Sequence, residues 1–308
     1  MDMDLITNIL FAAVRTGTPL LLVAIGELIC ERAGVLNLGQ EGMMLMGAVL
    51  GFIAALTTGS MVTGFVVAAL AGVLMSLLFG FLALTLSTNQ YATGLALAIF
   101  GGGLSAFIGQ PFVGKPVDGL HAIIIPYLSD IPLIGKALFA QDGMVYLSFI
   151  LVPALAWMLK NSRPGLIIRA AGESPDSLHA LGHRVMMVRY LAVMFGGAMA
   201  GLAGGYLSLA YTPMWNEGMT AGRGWIALAL VVFAGWQLGR LMLGAYLFGL
   251  ASILHLVFQG LGFDISPSLL AMMPYVATIL VLVVLSRSRD NPALQAPAAI
   301  GKPWRPVH

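Results

Sequence analysis

Residues 61–86, MVTGFVVAALAGVLMSLLFGFLALTL, run for 26 positions without a charged side chain. Crossing the ~30 Å hydrocarbon core of a bilayer takes roughly 20 apolar residues in a helix, so this stretch is long enough to span. It does not alternate apolar and polar positions, as a barrel strand must, and a β-barrel is thereby excluded. Outward from it lie further apolar runs at 5–28, 42–56, 91–110, 145–159, 190–210, 225–238, 241–258 and 269–285. The whole chain agrees: hydrophobic residues make up 59% of its 308 positions, charged residues 9%, and the mean hydropathy is +0.94. Soluble domains carry about a quarter charged residues. The fold class expected is an all-α polytopic membrane protein with about 8–10 transmembrane helices, several broken by Gly-rich stretches.

The N-terminal MDMDLITN has two aspartates and no basic region, so the first apolar run reads as a retained helix and the mature chain as beginning at Met1. A net charge of +2, spread over loops, gives no basic stripe for nucleic acid. The single cysteine, Cys30, reads as a small buried hydrophobe. Residues 111–144 mix Lys115, Asp118, His121, Asp130, Lys136 and Asp142 with IIIPYL and IPLIG, which suggests an interfacial connection with room for one extra short span. Lys160, Arg163, Arg169, Arg184 and Arg189 cluster in one connection, and Arg287, Arg289, Lys302 and Arg305 follow the last run. By the positive-inside rule both are cytoplasmic, and counting back puts the N-terminus outside unless a re-entrant half-helix shifts the count. The expected organisation is a transmembrane domain over 1–286, with a cytoplasmic loop at 161–189, and a flexible cytoplasmic tail over 287–308 broken by four prolines.

Within that loop, RAAGESPDSLHALGHR at 169–184 is a polar island in a hydrocarbon-compatible chain. Pro175 and Gly182 bracket about two helical turns, with Ser174 as N-cap and Asp176 in the first turn. Such a helix on the membrane surface either docks a soluble partner and acts as a lever, or is a hairpin connection with none. His179 and His183 share a face but have no third ligand nearby, so solvated surface histidines are expected and no metal.

In ERAGVLNLGQEGMMLMGA, residues 31–48, Gly34, Gly39 and Gly42 punctuate a segment carrying Glu31, Arg32, Asn37, Gln40 and Glu41. It reads either as a broken helix whose Asn37, Gln40 and backbone line a path, or as an ordinary cytoplasmic loop. Glu27 lies one turn before Glu31 on the same side, as an acidic pair or a helix end. Gln40-Glu41-Gly42-Met43 and Asn216-Glu217-Gly218-Met219 each precede an apolar run, which suggests an internal repeat. Gly101-Gly102-Gly103 and GGAMAGLAGG at 196–205 suit close helix packing. No phosphate loop, Ser/His/Asp set, HExxH or CxxC is found, so the chain is expected neither to hydrolyse ATP nor to be an enzyme.

GVLNLGQEGMMLMGA at 34–48, RAAGESPDSLHALG at 169–182, GRGWIALALVVF at 222–233 and MPYVATILVLV at 273–283 together resemble permease subunits of bacterial ABC importers. The superfamily is that of branched-chain amino acid, ribose and nucleoside permeases, and the resemblance is closest to its nucleoside or simple-sugar branch. It implies a chain in the bacterial cytoplasmic membrane that pairs with a second permease chain, different or identical. It also implies two docked cytoplasmic ATPase subunits, which would use ATP and Mg, and an external substrate-binding protein. No cofactor is implied for this chain. Matched to the family's motifs, Gly172, Pro175, Ala180 and Gly182 correspond to the ATPase-coupling loop. Asn37, Leu38, Gly39, Glu41 and Gly42 correspond to the signature near the pathway. The family's Asn-Gln pair appears as Asn89-Gln90, followed by Thr93 and Gly94, and places Gln90 and Thr93 near the central path. A neutral, hydroxyl-rich solute suits the Ser, Thr, Asn and Gln groups at Ser87–Gln90, Thr93 and Ser105. Two alternatives stand: an ABC permease for branched-chain amino acids or another sugar, and an ion-coupled secondary transporter using Glu27, Glu31 or Glu41 as a proton relay.

Overall fold

The computed structural model describes residues 3–260 and 296–305, with single positions Met272, Val276 and Ile279. The apolar run at 269–285 and residues 287–295 therefore lie outside the described residues, those three positions aside. Six of the described apolar runs become long helices: α1 (Met3–Arg32), α2 (Gln40–Thr58), α3 (Met61–Gly80), α4 (Gln90–Gly109), α6 (Gly143–Asn161) and α9 (Val185–Tyr206). These six are long and apolar enough to cross a membrane, and the chain is a multi-pass helical membrane protein.

Polar residues at the run ends set the boundaries. The Ser60 hydroxyl accepts from the Thr63 N–H to open α3, and Asn89 Oδ1 accepts from the Ala92 N–H to open α4. Asp142 opens α6 by accepting from the N–H groups of Met144 and Val145. Both α3 and α9 run on into a π-helical turn, Phe81–Thr85 and Leu207–Tyr211, closed by i→i+5 bonds from Leu86 N to Phe81 O and from Thr212 N to Leu207 O. The flanking sequences match, Gly80-Phe-Leu-Ala-Leu-Thr85 and Gly205-Tyr-Leu-Ser-Leu-Ala210.

In lipid the helices gain little hydrophobic drive for association, and small residues let their backbones close to van der Waals contact instead. α3 and α9 cross antiparallel on such a seam: a side-chain carbon at Gly72 would overlap the Gly197 carbonyl, and one at Gly201 would overlap the Ala68 carbonyl. The 196–205 glycines thus pack as their spacing implied. α2 lies on the same seam, with Gly47 on Gly201 and Gly204 on the Met44 carbonyl. α1 is the central post, buried continuously from Thr16 to Glu31. α11 (Leu238–Gly260) packs antiparallel on it, with Gly249 on Ala13 and Gly17.

Two connections differ from expectation. Residues 113–142 contain no extra span; they hold only the five-residue α5 (Gly135–Phe139), about 8 Å long at 1.5 Å per residue. Backbone bonds from Val117 N to Pro213 O and from Leu120 N to Leu209 O tie this segment to the far end of α9. The run at 225–238 is not a full span either. The chain passes Trp215, packed on Gly109 at the end of α4, and then turns inward. α10 (Arg223–Phe233) starts inside the protein and ends beside Arg32, whose guanidinium donates to the Trp236 carbonyl. Eleven residues cover about 16 Å, roughly half of a bilayer core. α10 is a half-helix that, together with the non-helical stretch before it, carries the chain from the far end of α9 to the α1–α2 end of the bundle.

The 161–189 connection folds as α7 (Arg163–Glu173) and α8 (Pro175–Ala180). The 287–308 segment, read from its prolines as flexible, is packed where it is described. Residues 296–305 lie on α7, α8 and the α1–α2 turn, because backbone groups of the segment find partners there: Ala299 N donates to Gly172 O and Gly301 N to Gly34 O.

Candidate pathway and coupling sites

The stretch between α1 and α2 is an internal turn at residues 33–39. Gly34 has φ +84°, a conformation that glycine adopts without strain, and it reverses the chain. The turn is held by one buried carboxylate: Glu27 accepts from the Asn37 N–H at 2.9 Å and from the Gln40 side-chain amide at 2.5 Å. Asn37 Oδ1 accepts from the Gly39 N–H at 2.9 Å. Asn37 and Gln40 are fully buried; Asn37 Oδ1 and the Gln40 amide nitrogen serve the turn itself, while Gln40 Oε1 has no hydrogen-bond partner among the described residues.

Glu41 has the most heavily committed carboxylate of the three glutamates at this end. It reaches the start of α10 and accepts from the Thr220 hydroxyl at 2.6 Å, the Gly222 N–H at 2.8 Å and the Gly224 N–H at 2.7 Å. The first N–H groups of a helix have no intrahelical acceptor and favour a negative charge, and a half-helix beginning inside the protein cannot leave them to water. Glu41 supplies both the acceptor and the charge. Glu31 is likewise engaged, accepting from the Trp236 indole N–H. All three carboxylates proposed for a proton relay are thus hydrogen-bonded within the helix scaffold.

The Asn-Gln stretch meets this turn. Gln90 Oε1 accepts from the Leu36 N–H at 2.9 Å, and Gly94 lies so close to Leu38 and Gly39 that a side-chain carbon there would sit 2.7 Å from Leu38 N. Gly42 packs deeper on α4, against Ala98 and Gly101. Asn37, Leu38, Gly39, Gly42 and Gln90 therefore form one locus where the α1–α2 turn rests on α4. Thr93 faces outward into a groove of about 420 Å³ between α3 and α4, its hydroxyl 2.7 Å from that of Thr88. Gln90 Nε2 is buried without a hydrogen-bond partner among the described residues.

α8 forms as its sequence dictates: Ser174 caps it, Pro175 occupies its first position, and Gly182 at φ +83° ends it. Pro175 is buried and Leu178 is buried against Ala171 and Val185, while Asp176, His179 and Ala180 are exposed. Beyond them Leu181 is 77% exposed. Gly172 touches the Arg32 carbonyl and Gly34, so the loop's base rests on the α1–α2 turn. The residues matched by motif to a coupling loop and the 34–42 residues are thus adjacent.

Sequence reasoning missed a polar group at the opposite end of the bundle. Arg15 donates to the Ala210 carbonyl at 2.8 Å and lies 3.7 Å from Asp142, which accepts from the Tyr206 hydroxyl at 2.9 Å. The available signal was Arg15 itself, a cation inside an apolar run, where charge is costly and needs partners. The suggested repeat fares unevenly: Gln40-Glu41 opens α2, but Asn216–Met219 lies in turns before α10 begins at Arg223.

A bundle of membrane-crossing helices, a half-helix held within it and an exposed elbow of two short helices on one side define a membrane permease. A family model described as branched-chain amino acid transport system / permease component matches residues 9–285, and the chain belongs to that family. It is 40% identical to a putative glucose ABC transporter permease protein of Haloferax volcanii, covering 97% of both chains. It is 34% identical to a nucleoside ABC transporter permease protein of Lactococcus lactis, over 87% of this chain and 88% of that one. A guanosine ABC transporter permease protein of Bacillus subtilis is 32% identical over 99% of this chain and 98% of its own.

Proposed function

We propose that this chain is the permease subunit of an ATP-driven importer that moves a nucleoside or related simple sugar into the cytoplasm. The observation that carries this reading is the α7–α8 elbow, whose exposed tip offers Leu181 to a partner and whose base touches the α1–α2 turn. The relatives named for glucose, nucleoside and guanosine transport support both the ABC class and the solute class. In this reading a cytoplasmic ATPase dimer, which uses ATP and Mg, grips α8, a second permease chain completes the pathway, and an external binding protein delivers solute. The second permease chain is either a different chain or a copy of this one. No bond of the solute changes. ATP binding shifts the equilibrium between inward- and outward-facing states, and α8 and Gly172 deliver that shift to the turn at 33–39. The engagement of Glu27, Glu31 and Glu41 within the scaffold favours this reading over an ion-coupled transporter.

The test is uptake of radiolabelled adenosine, guanosine, ribose, glucose and leucine into cells expressing the chain with and without ATPase, second permease and binding protein. Uptake of a nucleoside or sugar that requires the ATPase is expected; uptake of leucine alone moves the solute to the amino-acid class. Gly182→Asp is the diagnostic variant. Its φ is positive and no atom lies within 4 Å of the added carbon, so the strain is local, about 1–2 kcal/mol. The chain is expected to fold, with uptake largely lost. Wild-type uptake in this variant would remove α8 from the mechanism.

A further inference from the structure

Residues 296–305 make contacts that neither the pathway nor the coupling loop accounts for. Three cytoplasmic corners of the bundle meet on this short strap. At the α1–α2 turn, Gly301 N donates to Gly34 O. At the loop before α4, Arg305 Nε donates to Ser87 Oγ at 3.1 Å. At the elbow, Ala299 N donates to Gly172 O, Ala298 N reaches Glu173, and the Trp304 indole N–H donates to Asp176 Oδ1 at 2.7 Å. The Trp304 ring stands edge-on to His179, with centroids 5.4 Å apart, and packs on the small apolar cluster of Ala171, Leu178 and Val185. The strap also serves α9: Arg189, 1% exposed, makes its one side-chain hydrogen bond among the described residues to the Lys302 carbonyl at 3.2 Å.

A six-residue helix seated on two buried side chains can rock without moving anything beneath it. To transmit motion it needs a second attachment. We propose that the strap is a transmission brace, with Trp304 a positioning residue that locks α8 through Asp176 and His179 and ties it to the turn at Gly34 and the loop at Ser87. The inference rests on reading α8 as the ATPase-coupling helix. Leu181, Gly182, His183 and Arg184 stay exposed beside the strap, so the brace leaves the tip of the elbow free for a partner.

The test uses the full complex with ATPase, second permease and binding protein, carrying Trp304→Ala, Trp304→Phe or Asp176→Asn, or ending at residue 295. Three quantities are read: ATPase co-purifying with the permease, basal ATP hydrolysis, and solute uptake. With Trp304→Ala, co-purification and basal hydrolysis are expected to stay near wild type while uptake falls about tenfold, the equivalent of one charge-assisted hydrogen bond. Trp304→Phe keeps the ring without the donor and falls less, while Asp176→Asn keeps an acceptor oxygen and retains most uptake. Such an uncoupling, hydrolysis without transport, is not produced by simple misfolding. Unchanged uptake in both Trp304→Ala and the truncated chain overturns the brace, as does loss of the ATPase from the Trp304→Ala complex, which makes the strap a docking surface. A wild-type chain that recruits no ATPase overturns the proposed function itself, and the brace with it.

Discussion

Glu41→Ala is expected to destabilise the protein by about 3–5 kcal/mol, since it strands one hydroxyl and two backbone donors inside the bundle, each costing about 1–3 kcal/mol when unsatisfied. Those donors are the start of α10, where the Thr220 hydroxyl and the Gly224 N–H are buried and the Gly222 N–H is partly so. Thermal unfolding of purified protein in detergent should show a drop on the order of 10 °C. Glu41→Gln should cost less: its remaining carbonyl oxygen can still accept from Thr220 and Gly222, but its amide meets the Gly224 N–H donor to donor. A melting temperature unchanged in Glu41→Ala would mean that the half-helix is held by other means.

Gly72→Leu is expected to abolish folding. At Gly72 the added atoms meet backbone, the Gly197 carbonyl and the Gly201 nitrogen, and not the end of a side chain that could swing away. Overpacking a core ordinarily costs about 1–3 kcal/mol because side chains yield. Two helices in contact along their backbones can relieve it only by separating, which breaks the α2–α3–α9 seam. The yield of monodisperse protein should fall below detection, and Gly72→Ala should already reduce it severely. Gly103→Ala is the control: it lies on α4 with nothing within 4 Å of the new carbon, and should behave as wild type. Equal yields of Gly72→Leu and wild type would contradict the seam.

Features whose determinants are local were legible in the sequence. A run of apolar residues becomes a membrane helix because lipid demands internally satisfied backbone, and α3 needed no more than its own composition. α8 was legible because Ser174, Pro175 and Gly182 specify start and stop within one short stretch. The Gly-rich stretch at 196–205 announced close packing, though not its partners. What escaped depends on distant residues. Nothing near 225–238 says that α10 begins halfway through the bundle; that follows from Glu41, some 180 positions earlier, which satisfies its exposed N-terminus. Residues 296–305 read as flexible because their prolines and charges form no element of their own. They are held by backbone carbonyls at Gly34 and Gly172, which carry no sequence signal at all. The Arg15, Asp142 and Tyr206 group spans three elements and was visible only as one isolated cation.

The candidate site was partly legible for the same reason. Asn37, Leu38, Gly39, Glu41, Gly42 and Gln90 were matched by motif, and the structure brings the turn and α4 together through the Leu36–Gln90 bond and the close approach of Gly94. Their roles were less visible, because a polar residue buried to hold a turn and one exposed to a solute look alike in sequence. Glu41 illustrates the difference: its acidity serves a helix terminus.

The most direct test of the central claim separates the two possible energy sources in one preparation. The permease, its second permease chain and the ATPase are reconstituted in liposomes, with solute-loaded binding protein on the side opposite the ATPase. Solute transfer is then followed with ATP and Mg, with a non-hydrolysable ATP analogue, and with an imposed proton gradient alone. Transfer that requires hydrolysable ATP and ignores the gradient is the predicted result. Transfer driven by the gradient in liposomes containing this chain without the ATPase would contradict it.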